Sequence, residues 1–511
     1  MAQIPASVFE EPLKGLERIH QGKVRDTYAL PRHPKQLLVV ATDRISIFDF
    51  VLPVRVPQKG EILHAMNVFW RVEVMGNLFP QDYWTAAGNI DEFLSNEARG
   101  NIELRKRALI VHKLSMLPLE AIIRGYLTGS GLKAYRKTTP PGVNGHRLPH
   151  GLHDGSRLPF PIFTPTTKAE EGHDEPMDIR HATQLFGSVP ERFSLQAYLH
   201  AQAYAEKRGI IIADTKFEFG RGADAALDDV QFADEILTPD SSRFWDAKDW
   251  ERSAADKKSP HSLDKQLVRE WGKAMGVDER DPSNPDDVAY VHGLEIPQDI
   301  VDRTRKIYRY IFWRLIGEKL ECFQRRQMGI DTRPEKVRVD VLLGSYSDFA
   351  QTGAAVSYFE RAIREGLVAP AFHVVSCHRN PDELRQYAES CRAEVVIAAA
   401  GKAAALPGIL SAWLRHYGKP HIPVIGVALD GATDEARRAS RLSIEELPGQ
   451  PVILDSDGRA FFGPEGFKAA CELAVMGEFL PAKEGFGKNA EFNVPMLERG
   501  LATLPLGRNI G

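Results

Sequence analysis

Residues 209–219, GIIIADTKFEF, restrict the fold more than any other stretch of this chain. Three isoleucines lead into a strict alternation. On a strand, where side chains repeat every two residues, Asp214, Lys216 and Glu218 share one face, while Thr215, Phe217 and Phe219 share the other. Buried charge is costly unless it is paired or coordinates a metal, so two carboxylates flanking a lysine are poor material for a dry core. The arrangement suits a Mg–nucleotide site, in which carboxylates hold the ion and lysine meets phosphate oxygens. The competing reading is a surface hairpin carrying solvated charges.

The surrounding segments favour binding. VQFADEIL (230–237) follows the polar turn RGADAALDD, and antiparallel pairing brings Asp234 or Glu235 towards Glu218 as a Mg²⁺ clamp. LTPDSSRFW (237–245) adds Asp240 and Arg243. EAIIRGYLTGSG (120–131) places Arg124 on a strand that enters a Gly/Thr/Ser loop containing Thr128 and Ser130. FTPTTKAEEGHDEPM (163–177) gathers Lys168, Glu170, Glu171, His173, Asp174 and Glu175, without a second histidine at zinc spacing. GKVRDTY (22–28) is not a Walker loop, which needs GxxxxGK[ST]. Several cation-rich, glycine-bearing loops together point to a phosphorylated substrate plus nucleotide.

The texture changes near residue 330. Up to there the chain reads as α+β, with strands expected at 37–43, 108–114, 120–127, 209–219 and 230–237, and a Pro/Gly/His-rich connection at 138–161. Such a long connection without structure is unusual unless it is functional or disordered. An amphipathic helical pattern runs from Pro297 to about Arg326. Beyond it, VRVDVLLG (337–344), HVVSCHRNP (373–381), EVVIAAAGK (394–402) and IPVIGVALDG (422–431) repeat an apolar strand, a small-residue loop and a helix. That alternation predicts a parallel sheet with crossover helices, with ligands at the carboxyl ends of the strands. The expected division is a first domain at 1–328, a linker at 329–336, a second domain at 337–480 and an extended tail at 481–511, an arm over a neighbour.

Charge and cysteine content narrow the class. A formal net charge of −4 makes no case for nucleic acid or membrane as partner. The four cysteines, Cys322, Cys377, Cys391 and Cys471, lie far apart and read as free thiols in a reducing compartment. With no signal-like N-terminus and no apolar run near the ~18 residues of a span, the expected location is the cytoplasm.

At this level the first part resembles a known family. GKVRDTY, ATDRISIFDFVLP, LPLEAIIRGYLTGSG, FTPTTKAEEGHDEPM, IIADTKFEFG, DEILTPDSSRFW and SLDKQLVREW together are similar to SAICAR synthetase over about residues 12–325. The resemblance implies a two-lobed ATP-binding fold and a ligase of purine biosynthesis. In that reaction ATP activates the carboxylate of carboxyaminoimidazole ribotide (CAIR), and the amine of L-aspartate attacks the acyl phosphate. It further implies that Lys23 and Arg25 meet ATP phosphates and that Glu218 and Asp234 hold Mg²⁺. Lys216 then stands beside the reacting group. Arg124, Ser130 and Arg243 bind the ribotide phosphate and carboxylate, with Asp174 and Lys168 near the same substrate. Arg269 is a weaker candidate, evenly balanced against a surface arginine.

The second part, over roughly 337–478, resembles the AIR carboxylase / N5-CAIR mutase family through GSYSD (344–348), SCHRNP (376–381) and GKAAALPG (401–408). This implies a flavodoxin-like domain that commonly forms octamers, hence a homo-oligomer. It also implies that Ser345, Ser347 and Asp348 bind the ribotide, with Arg379 beside it, and that His378 handles the imidazole proton. Such a domain makes CAIR from AIR and CO₂ or from N5-CAIR, supplying the first domain. Ala405 stands where the bacterial mutase pattern has a histidine, Lys402 is closer to the basic residue of the vertebrate carboxylase pattern, Phe349 replaces a tryptophan, and ALDGATDEARRAS (428–440) follows neither pattern. The leading reading is therefore a bifunctional enzyme. The alternatives are a ligase whose second domain only binds or assembles, and a kinase-like enzyme acting on another phosphosugar.

Overall fold

The computed structural model describes residues 12–168, 174–402, 404–455 and 457–480. Glu170, Glu171, His173 and the expected arm from residue 481 lie outside the described residues. The chain forms two compact units. Among the described residues the first takes 12–337, 358–369 and 471–480, and the second takes 338–357 and 370–470.

Among the described residues the first unit contains two short hairpins and two large antiparallel sheets. One runs in the order Arg18–Gln21, Arg25–Ala29, Gln36–Ala41, Ala108–His112, Tyr83–Ala86. The second is organised around the twelve-residue strand Ile210–Arg221. Leu119–Leu127 pairs with it through Asp214↔Arg124 and Lys216↔Ile122. On its other edge the partner changes: Ser242–Asp246 pairs with 210–215, and Gln231–Ala233 with 218–220. Phe217, Phe219, Ala121 and Ile123 enter the main core beneath this sheet. Burying each phenylalanine contributes about 1.5–3 kcal/mol. The alternation of residues 214–219 thus takes the form expected, with Thr215, Phe217 and Phe219 inside.

Some expected elements differ. The strand expected at 230–237 ends at Ala233, because Asp234 takes a left-handed φ of +61° and turns the chain out of the ladder. The 138–161 connection is not structureless. It contains the hairpin Gly142–Val143/His146–Arg147 and most of the strand Ser156–Phe163, which pairs with Leu119–Leu127. The helical pattern from 297 is two helices, Gln298–Ile316 and Leu320–Met328, divided at Gly317 with φ +87°. An earlier helix, Lys59–Phe69, is buried along its whole length.

The second unit carries the expected parallel sheet, in the order Val368–Val374, Val337–Leu343, Val395–Ala400, Val424–Ala428, Phe461–Phe462. Pairing of Val339–Leu343 with Val395–Ala399, and of Val396–Ala400 with Val424–Ala428, is parallel and in register. Helices Pro381–Ser390, Leu406–His416 and Asp434–Glu445 alternate with these strands. The strand expected from His373 starts five residues earlier, at Val368.

Candidate active sites

The polar face of the long strand carries the first site. Lys216 Nζ donates to Glu120 Oε1 at 2.6 Å and to Glu218 Oε1 at 2.9 Å. Lys168 donates to the other oxygen of Glu218. Glu218 faces Ala233 across the ladder, so Asp234 emerges beside it. Arg25, on the first sheet, donates to Asp234 at 2.5 Å and to Glu235 at 3.3 Å. Three cations therefore meet four carboxylates. The charges are paired and largely buried, with the Glu218 side chain 4% exposed, so the solvated-hairpin reading does not hold.

The electrostatics follow from this pairing. Burial pushes the Glu218 carboxyl up, but Lys216 and Lys168 outweigh it and hold the group well below the ordinary carboxylate range. Burial alone lowers the Lys216 ammonium, whereas Glu218 and Glu120 raise it further, so it stays protonated. Arg25 is likewise raised by Asp234, Glu235 and Glu218 against the effect of burial.

A second group lies further along the same face. Asp214 Oδ2 accepts from Arg124 Nη1 at 3.0 Å and from Arg243 Nη1 at 3.2 Å. Arg124 also donates to Ser130 Oγ at 2.9 Å and Thr164 Oγ1 at 3.0 Å. Two guanidinium groups converge on one carboxylate, with Asp264 and Asp154 also acting on Arg243, and their forked N–H donors suit bidentate recognition of an anion. Gly129 makes room for this: its φ is +56°, and a Cβ there would stand 3.0 Å from Arg243 Nη2.

Arg25, Lys168, Lys216, Glu218 and Asp234 are thus brought together, as are Arg124, Ser130 and Arg243. Lys23 stands apart from both groups. It sits at the tip of the turn between the first two strands, pairing with Asp49 at 2.6 Å. Asp174 is exposed. Arg269 lies over the Phe48 ring, 5.9 Å from its centroid. Glu120 was missed as a site residue, although residues 120, 122 and 124 share a face by the same period-two rule.

Among the described residues no set of three or more His, Cys, Asp or Glu side chains could hold a metal ion. Glu218 and Asp234, each already neutralised by lysine or arginine, nonetheless fit Mg²⁺ by donor type, since that ion usually takes one or two carboxylates, substrate phosphate oxygens and water. The four cysteines are free, and no described helix is long and apolar enough to cross a membrane.

In the second unit the strand ends open into a cleft of about 390 Å³ lined by Ser345, Asp348, His378, Arg379, Lys402 and Ala405, among others. Ser345 Oγ lies 2.9 Å from Ser347 Oγ, and Arg379 Nη2 donates to the Gly344 carbonyl at 3.1 Å. Burial raises the Asp348 carboxyl despite Arg379 nearby. Phe349 stacks between Tyr346 and Phe372 outside this lining. Of these positions, Lys402 and Ala405 line the cleft and Phe349 does not.

Comparison with known proteins agrees with both halves. The family model for SAICAR synthetase matches residues 18–283, more than half of the chain, and that for AIR carboxylase matches residues 338–454. Phosphoribosylaminoimidazole-succinocarboxamide synthase of Thermodesulfovibrio yellowstonii is 39% identical over 309 residues, 60% of this chain and 97% of the relative. The synthase of Thioalkalivibrio sulfidiphilus is 41% identical over 315 residues, 61% of this chain and 98% of the relative. Among solved structures, SAICAR synthase from Saccharomyces cerevisiae complexed with SAICAR matches with a TM-score of 0.51 at 36% identity. That match covers 61% of this chain and 99% of the yeast chain. The chain belongs to the SAICAR synthetase family of purine biosynthesis, and it carries a domain of the AIR carboxylase family fused behind the ligase.

Proposed function

We propose that the polar face of the long strand ligates CAIR to L-aspartate at the expense of ATP, with Mg²⁺. The observation that carries this is the convergence of Arg25, Lys168 and Lys216 on Glu120, Glu218 and Asp234, next to the arginine pair around Asp214.

Arg124, Ser130 and Arg243 hold the ribotide phosphate and carboxylate, with Asp174 orienting the substrate. Arg25, with Lys23 entering from its turn, takes the ATP phosphates. Glu218 and Asp234 hold Mg²⁺, which neutralises phosphate charge when bound. Phosphoryl transfer asks mainly for positioning and charge neutralisation. A CAIR carboxylate oxygen attacks the γ-phosphorus, ADP leaves, and an acyl phosphate forms. The aspartate amine then attacks the acyl carbon, expelling phosphate and leaving the amide. Lys216, kept protonated by its two glutamates, acts as a fixed cation on the transferring group, and Lys168 supports it from the opposite side of Glu218. Chelating Mg²⁺ with EDTA is expected to abolish CAIR- and aspartate-dependent ADP release, and excess Mg²⁺ to restore it. Full activity in EDTA contradicts the cation assignment.

We infer for the second unit that the cleft makes CAIR. Ser345, Ser347 and Asp348 hold the ribotide, Arg379 supports its anion, and His378 moves the proton on the imidazole carbon. The cleft beside His378 and Lys402 favours this over a purely assembling module. The same reading includes a cytoplasmic homo-oligomer, an octamer in the pattern of the second domain. Supplying the full chain with AIR plus bicarbonate, and separately with N5-CAIR, tests the activity. CAIR from either supports it; CAIR from neither, with ligation intact, makes the domain a binding or assembly module.

A further inference from the structure

Arg71 is almost wholly buried, and nothing in the chemistry above uses it. It lies in a five-residue π-helical turn, Trp70–Val74, which continues the buried helix Lys59–Phe69. Met75 N–H closes that turn on the Trp70 carbonyl, and Gln81 Nε2 donates to the Arg71 carbonyl at 3.1 Å. Single π turns within helices occur frequently at functional sites.

The three guanidinium nitrogens reach four groups, one of them Gln81 Oε1, which accepts from Nη1 at 3.4 Å. Nε donates to Asn67 Oδ1 at 3.0 Å, Nη1 lies 2.7 Å from Asp82 Oδ1, and Nη2 donates to the Asp234 carbonyl oxygen at 2.6 Å. The Asp234 backbone N–H acts on the Asp82 carboxylate, and Asn67 Oδ1 accepts from the Ile236 N–H at 3.3 Å. The Asp234 main chain is therefore gripped on both sides at the residue with φ +61°. A non-glycine residue in that conformation is strained and persists only where its surroundings hold it. Packing alone does not require this arginine, since buried ion pairs are often replaceable by apolar side chains without loss of stability.

We propose that Arg71 is a positioning residue of the ligase site: by holding the Asp234 main chain in its left-handed turn, it fixes the Asp234 carboxylate opposite Glu218 and so sets affinity for a divalent cation–nucleotide complex. The proposal rests on the assignment of Glu218 and Asp234 to the cation. It singles out a side chain that touches neither substrate nor metal.

Arg71→Lys is the informative variant. It keeps the charge next to Asp82 but replaces three nitrogens in a fixed fork by one. In the full chain, Mn²⁺ retained with ADP is read by electron paramagnetic resonance, alongside the Mg²⁺ requirement of ligation and the KM values for CAIR and aspartate. Arg71→Lys is expected to weaken Mn²⁺–ADP binding by about tenfold, raise the Mg²⁺ requirement similarly and leave the CAIR and aspartate KM values unchanged. Combined with Asp234→Asn, it should add little to the loss from Asp234→Asn alone. Normal Mn²⁺–ADP binding in Arg71→Lys, with binding lost in Asp234→Asn, overturns the positioning role. Normal binding in Asp234→Asn overturns the cation assignment beneath it. A parallel loss of CAIR and aspartate affinity marks general distortion and also overturns the proposal. If Arg71→Lys does not fold by far-UV circular dichroism, Asp82→Asn carries the same expectations and the same refuting results.

Discussion

Arg25 donates to the Asp234 carboxylate at 2.5 Å across 209 residues of sequence. The arginine belongs to the first sheet and the aspartate to the loop leaving the second, so this contact joins the two sheets where nucleotide phosphates are proposed to lie. The ladder creates the opening. Ser242–Asp246 accompanies the long strand only to residue 215 and Gln231–Ala233 only from 218. The loop between these partners brings Asp234, Glu235 and Asp240 to the gap.

The anion subsite gives a kinetic prediction. Arg243→Ala removes one of two guanidinium groups around Asp214. A charge-assisted hydrogen bond contributes about 1.5–3 kcal/mol, so the KM for CAIR should rise by about one to two orders of magnitude, with the KM for ATP nearly unchanged. Steady-state kinetics with each substrate varied checks this; equal increases in both constants contradict a dedicated ribotide subsite.

Much of this site was legible in the sequence because strands have period two. Asp214, Lys216 and Glu218 had to share a face, and a glycine-containing polar turn before VQFADEIL implied a return strand. The left-handed turn at Asp234 was not legible, because it depends on Arg71, Asn67 and Asp82, which are distant in sequence. Nor does local pattern reveal that Asp49 takes Lys23, or that the 138–161 segment pairs with residues 126–127. In the second unit, apolar runs ending in small residues were enough to predict a parallel sheet, though not the early start of the edge strand at Val368.

Glu218 gives a pH prediction. Its folded value lies at about 2, because Lys216 and Lys168 outweigh the upward push of burial, while an unperturbed glutamate titrates near 4.3. A depressed carboxylate contributes stability that is fully present above the unfolded value and is lost as pH falls through the folded value. The stability advantage of the wild type over Glu218→Gln should therefore be complete near pH 6 and shrink below about pH 4. Urea denaturation across that range measures it, and an advantage that grows on acidification contradicts the pairing.

A buried ion pair beneath the loop gives a stability prediction. Lys59 Nζ lies 2.6 Å from Asp240 Oδ2, and Tyr308 donates to Oδ1 at 2.5 Å. Asp240→Asn leaves the buried lysine without its counter-charge, a change that typically costs about 3–5 kcal/mol. Chemical denaturation should show a loss of that order; a loss below about 1 kcal/mol, the scale of an exposed pair, contradicts the buried placement.

Gly125 makes a packing prediction. A Cβ there would stand 2.0 Å from Tyr198 Oη, which donates to the Ile212 carbonyl at 2.7 Å. Gly125→Ala should destabilise the first unit by about 1–3 kcal/mol through overpacking. Thermal unfolding of the variant checks this, and an unchanged midpoint contradicts the close approach.

The central claim is that one chain performs ligation at Lys216 and forms CAIR at His378, at separate sites. The most direct measurement takes both rates, SAICAR formation from CAIR and CAIR formation, in full-length Lys216→Ala and His378→Ala. The expected result is reciprocal. Lys216→Ala loses ligation and keeps CAIR formation, while His378→Ala loses CAIR formation and keeps ligation from supplied CAIR. Loss of both rates in either folded variant, or an unchanged rate of CAIR formation in His378→Ala, contradicts the account.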